Sequence, residues 1–194
     1  MNNKQIRKQG LDAEKSVSYV LHNLGIEYIV FDNVLIKTKK GTTQIDHIVV
    51  SPYGVFVIET KSHKGTIYGD CNSKYWTQCL YSRQGVKKYT FYSPYLQNYG
   101  HLRNLYKLLN LSYIYFLGLI VFTDSDINLR NVNCNRVVTL QYLSNMIYSY
   151  RKIILSPHEV QKVCQILRNS NIQSNYQDKK HIKYVKSMRS NKVR

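Results

Sequence analysis

The chain has 194 residues, 43% of them hydrophobic, which suits one domain with a buried core. Its 28 Lys plus Arg against 11 Asp plus Glu leave a formal net charge of +17, a surface that attracts polyanions such as nucleic acid. Its four cysteines form no CxxC pair and its main apolar run is far below the ~20 residues of a membrane span, which argues against a zinc ribbon and a membrane-spanning protein.

Lys4, Arg7 and Lys8 open the chain, and with Asp12 and Glu14 they interrupt any apolar stretch that could act as a secretory signal. Periodicity predicts a helix over 9–24, then strands over 26–37, 43–51 and 54–62 and a shorter one over 65–69. An extended piece is expected from Trp76 to Tyr81, and a helix over 95–110, just after Pro94. Residues 113–122 are β-branched and aromatic and read as a buried strand. Asp124 and Asp126 follow it and fit a turn better than a metal site. A short strand over 135–139 and helices over 140–151 and 157–169 follow, the last with Pro157 at its start. This is the element order of a mixed α/β sandwich. The domain is placed at 1–169 and a basic tail at 170–194. That tail carries Lys179, Lys180 and Lys183 among its cations, and it reads as an electrostatic tether for nucleic acid or as a solubilising end. Cys71, Cys79, Cys134 and Cys164 are expected to be reduced thiols of a cytoplasmic protein.

The chemistry is concentrated in 44–61, a predicted hairpin turning at Pro52-Tyr53-Gly54. The two-residue period of a strand puts Glu59 and Lys61 on one face and Thr60 on the other, and the turn brings Asp46 opposite them. Two neighbouring carboxylates repel unless a proton or cation lies between them, and such hard oxygen ligands suit Mg²⁺ or Mn²⁺. A lysine beside that metal can hold an attacking water and offset charge on a phosphorane-like transition state. The same residues also occur on solvated sheet edges. Here, however, Val55-Phe56-Val57-Ile58 is apolar on both faces, the mark of a buried central strand. His47 falls on the opposite face from Asp46, which favours packing or hydrogen bonding over catalysis.

Gly10-Leu-Asp-Ala-Glu14, Gln44-Ile-Asp-His-Ile-Val-Val, Gly54-Val-Phe-Val-Ile-Glu-Thr-Lys61, Gly65-Thr-Ile-Tyr-Gly69, Trp76 and Pro94-Tyr-Leu-Gln-Asn98 together resemble the nuclease-related domain, NERD, across 9–122. The resemblance implies a restriction-endonuclease-like PD-(D/E)xK fold, a mixed sheet flanked by helices. It assigns Asp46, Glu59 and Lys61 to the motif, with Ile45 in place of its leading proline. It implies a Mg²⁺-dependent deoxyribonuclease, endonuclease before exonuclease, with Asp46, Glu59 and the Thr60 carbonyl on the metal and Lys61 on the water. Glu14 is either an acid reaching the metal through water or a first-turn charge on the helix dipole. Gln97 and Gln44 are candidate substrate contacts. Cutting both strands of a duplex needs two sites or two visits, so a homodimer is one expected arrangement. The alternative is a nucleic-acid-binding module that keeps the fold without cutting.

Overall fold

The computed structural model describes residues 3–39 and 41–172. Lys179, Lys180, Lys183 and the rest of the tail from 173 lie outside the described residues. A central sheet of order β1-β2-β3-β7-β9 is built from β1 (Ile29–Thr38), β2 (Gly41–Ser51), β3 (Gly54–Lys61), β7 (Phe116–Phe122) and β9 (Val137–Thr139). The first three strands run antiparallel, whereas β7 pairs in parallel with both β3 and β9. Alternation sorts β3 between two cores. Val55 and Val57 pack with α2 (Pro94–Leu109) and α4 (Pro157–Ser170), while Phe56 and Ile58 pack with α1 (Asn3–His22) and α3 (Leu143–Tyr148). A strand buried on both faces needs no polar side, which is why its apolar run is continuous.

The second sheet, of order β6-β5-β4-β8, comprises β4 (Thr66–Asp70), β5 (Tyr75–Ser82), β6 (Gly85–Tyr92) and β8 (Asn128–Asn133). It is fastened to the first through Trp76, which is fully buried with Ile67, Ile120 and Phe122. Helix α2 is held to the central sheet by Asn98, whose Nδ2 donates to Val57 O at 2.9 Å and Leu119 O at 3.0 Å, across the β3–β7 ladder. The two-residue turn at Pro52-Tyr53 closes β2 onto β3, with Ser51 opposite Gly54. Gly54 sits at φ +134°, a conformation glycine adopts without strain.

Several expected boundaries shift. The first helix begins at Asn3 rather than 9, because Gly10 is tolerated on a half-exposed helix face. Glu14 is therefore mid-helix, and a first-turn role on the helix dipole does not apply. Strand β1 starts at Ile29 because Gly25 to Tyr28 forms a turn, Tyr28 N–H donating to Gly25 O at 3.0 Å. Residues 113–115 make a 3₁₀ turn before β7, and the helix expected over 140–151 is a 3₁₀ turn followed by the short α3. Strands β6 and β8 are additional. The Asp124–Asp126 segment is a turn, Asp126 N–H donating to Asp124 Oδ1 at 3.0 Å.

The expectation of four reduced thiols is corrected: Cys71 and Cys134 form a disulfide. They directly follow Asp70 and Asn133, the last pair of the parallel β4–β8 ladder, so the pairing itself brings their Cα atoms to 5.5 Å. Cys79 and Cys164 are free and buried.

Candidate active site

The site forms where β2 and β3 part. Their ladder ends at His47–Ile58, and the β1–β2 ladder skips the pair Asn33 and Asp46. Ile45 and Ile48, three residues apart, pack into the same core, so the two-residue alternation breaks between them. Asn33, opposite the break, has φ +52°. The break leaves the Thr60 N–H without its usual ladder partner, and Asp46 Oδ2 accepts it at 2.8 Å.

Glu59 is 2% exposed and faces α2. Lys61 Nζ donates to Glu59 Oε1 at 2.5 Å and to Gln97 Oε1 at 3.1 Å. On the other side His101 Nε2 stands 3.2 Å from Glu59 Oε2, an ion-pair contact without hydrogen-bond alignment, so both atoms are buried and lack a hydrogen bond. His101 Nδ1 is 3.0 Å from Thr43 Oγ1. An open pocket of about 370 Å³ is lined by Glu14, Thr43, Gln44, Asp46, Gln97 and His101.

The electrostatics push the acids apart. Burial raises Asp46 well above the ordinary carboxylate range and the charge of Glu59 adds to this, against the Thr60 hydrogen bond. Burial also raises Glu59, but Lys61 and His101 more than offset it and hold the carboxyl below its usual value. Glu14 is raised, chiefly by burial. Two neighbouring acids shifted in opposite directions, one lining the pocket and one buried behind it, are the electrostatic pattern of a functional site.

Asp46, Glu59, Lys61 and Gln97 are thus brought together, and of these Asp46 and Gln97 line the pocket with Glu14, while Glu59 and Lys61 do not. Gln44 lines the pocket too, although its Nε2 donates to Asn33 Oδ1 at 3.1 Å. Thr60 contributes its N–H to Asp46, and its hydroxyl is buried without a partner. His47 lies on the α1 side, its Nδ1 2.6 Å from Asp32 Oδ1, and Asp32 also takes Ser18 Oγ at 2.9 Å and His22 Nε2 at 2.8 Å. Sequence reasoning missed His101. The signal available was its position four residues after Gln97, which stacks both on one face of α2.

The donor set fits a hard divalent cation. Glu59 Oε2 is a buried carboxylate oxygen lacking a hydrogen bond, and Asp46, close enough to feel its charge, lines the adjoining pocket. Mg²⁺ takes one or two carboxylates and keeps several waters. Among the described residues no three His, Cys, Asp or Glu side chains group to ligate a metal, so a cation held here would draw its remaining ligands from backbone and water.

A mixed sheet between helical layers, with an acid at the ladder break inside β2 and an acid and a lysine at the end of β3, defines a nuclease-like α/β protein. The sequence pattern of the nuclease-related domain matches residues 9–123, and the chain belongs to that family. It is also similar to an uncharacterized protein of Bacillus anthracis, 34% identical over 181 residues, which cover 91% of this chain and 84% of the relative. No solved structure matches the chain. No helix among the described residues is long and apolar enough to cross a membrane.

Proposed function

We propose that the protein is a Mg²⁺-dependent deoxyribonuclease, an endonuclease of the PD-(D/E)xK type, with Mn²⁺ able to substitute. The observation that carries this reading is Glu59, an almost fully buried acid flanked by Lys61 and His101, with one oxygen free of any hydrogen bond. A buried carboxylate so placed is costly unless a further positive group meets it. Asp46 and Glu59, with the Thr60 carbonyl, would hold the cation, which would polarise the scissile phosphate and offset its developing charge.

The protein's own groups supply the remainder. Two of the three N–H donors of Lys61 are committed to Glu59 and Gln97, and the third is left for the attacking water. The attacking water gives up one proton to solvent as its oxygen bonds to phosphorus, the P–O bond to the leaving sugar oxygen breaks, and that oxygen takes a proton from solvent. Lys61 lies where it can stabilise the hydroxide-like nucleophile, and Gln97 fixes the ammonium. Glu14, on the pocket wall, orders water around the acids, and Gln44 contacts the substrate. Lys179, Lys180 and Lys183 supply a sequence-independent electrostatic hold on DNA. The place of action in this reading is the cytoplasm.

The test is cleavage of supercoiled, linear and single-stranded DNA with Mg²⁺, Mn²⁺ or EDTA, beside the Glu59→Ala/Lys61→Ala variant. Metal-dependent cutting that disappears in the variant supports the assignment; equal cutting by both overturns it.

A second reading, a binding module without cleavage, draws on the same ion pair, since Lys61 already neutralises Glu59 without a cation. The readings separate on melting: Mg²⁺ or Mn²⁺ raises the melting temperature of the parent but not of Asp46→Ala if the acids hold a metal.

A further inference from the structure

A second concavity adjoins the carboxylate pocket, and its chemistry is cationic. A trough of about 820 Å³ runs between the β1–β2 hairpin end and α2, with Lys37 and Lys39 on the hairpin side and Arg103 and Lys107 on the helix side. Thr42 and Thr43 line both the trough and the carboxylate pocket, so the two are continuous. No acid lines the trough among the described residues, and none of the four cations is ion-paired with a described residue. All four are exposed.

Four unpaired cations in one concavity repel one another, an arrangement that favours a multiply charged anion as occupant. The spacing suits a polymer rather than a single ion. Arg103 and Lys107 are four residues apart on α2, about 6 Å along its axis. On the facing wall Lys37 stands near the end of β1 and Lys39 in the turn that leads to β2. Both walls therefore spread their charge along the trough, as binding to a phosphodiester backbone requires.

We propose that this trough is the track of a single nucleic-acid strand, whose phosphates run between Lys37/Lys39 and Arg103/Lys107 and then pass Thr42 and Thr43 into the carboxylate pocket. The inference rests on the nuclease reading for what happens at the far end of the track, but not for binding itself. The deep position of Glu59 favours one backbone over an intact duplex, because a strand must descend to the acids between α2 and the hairpin. Bases would point outward, so the track reads charge and not sequence.

The test measures binding of a labelled single-stranded oligonucleotide by fluorescence anisotropy in EDTA, where no metal-dependent cutting occurs, over a range of salt. Arg103→Ala/Lys107→Ala and, on the opposite wall, Lys37→Ala/Lys39→Ala are compared with Arg151→Ala/Lys152→Ala. The last pair is exposed in the loop beside Pro52, at the other end of the strands, and carries the same charge change. Each trough variant is expected to bind more weakly, and its slope of log affinity against log salt to be shallower by roughly 1.4, at about 0.7 per phosphate contact on a single strand. The control pair should keep the parental slope, and all variants the parental melting temperature. Equal losses in trough and control variants would overturn the track, as would losses seen on duplex but not on single-stranded DNA. If the track variants fail to bind while the parent binds but never cleaves, the track stands and the nuclease reading falls.

Discussion

Removing Lys61 should unbalance Glu59, and the size of the effect follows from burial. Lys61 is 16% exposed and Glu59 2%, so solvent screens the pair little. Deleting one partner of such a pair leaves an uncompensated charge, typically a loss of 3–5 kcal/mol. Because His101 remains beside Glu59, we expect Lys61→Met to cost about 3 kcal/mol in EDTA at neutral pH. Glu59→Gln should cost about 2 kcal/mol, since Lys61 retains Gln97 and some solvent. The double variant carries neither charge, so it should lose about 2 kcal/mol rather than the sum of about 5, a coupling of about 3. Urea unfolding of the four proteins measures this directly. The pH dependence adds a check. In the parent the carboxyl lies below its ordinary 4.5, so its stabilisation is present above that value and lost as pH falls through the folded one. In Lys61→Met the largest opposing charge is gone, so burial should shift the carboxyl upward from its parental position, and the penalty should be greatest at neutral pH and fade as acid protonates Glu59. Additive losses in the double variant, or a penalty independent of pH, would refute the reasoning.

Burial, together with the charge of Lys61, holds the His63 ring down at about 4 against the ordinary 6.5. Stability is therefore full above 6.5 and falls by at most about 3 kcal/mol as pH drops from 6.5 to 4, which His63→Phe should abolish in acid titrations followed by fluorescence. The Cys71–Cys134 bond closes a loop of sequence separation 63, so Cys71→Ser should lower stability by up to about 4 kcal/mol, read as a fall in melting temperature matched by reducing the parent. Asn98→Ala removes both amide bonds to the β3–β7 carbonyls and opens a void under α2. It should cost about 3 kcal/mol in denaturant unfolding, whereas Gln97→Ala should cost under 1.

The residues carrying charge near the site were the ones most legible in the sequence. Asp46, Glu59 and Lys61 stand out because a buried apolar strand ending in Glu-x-Lys has few structural uses, and the parallel neighbour β7 could be read from its unbroken apolar run. Alternation was a poorer guide at Asp46, where the β1–β2 ladder skips Asp46 and Asn33 and tertiary geometry sets the carboxylate's direction. His101 was invisible for a similar reason: its meaning depends on how α2 lies over β3. Strand β6 escaped because it is exposed on both faces over most of its length and carries Lys87-Lys88, so it shows no two-residue pattern. Strand β8 is largely Asn and polar, and its extended form comes from pairing with β4 rather than from its own propensity. The disulfide was hidden because cysteine spacing does not encode the parallel β4–β8 ladder.

The parallel pairing of β3 with β7 also sets when the chain can become chemically competent. Glu59 lies opposite Ile120 and Lys61 opposite Phe122, across a crossover that contains the whole β4–β6 meander and α2. A chain still being synthesised can form the β1–β3 meander early from local contacts, but those acids stay open to water until residue 122 has emerged and docked. Enclosure of the acid–lysine pair should thus be a late step in folding, with an unfinished chain carrying the motif before β7 has covered it.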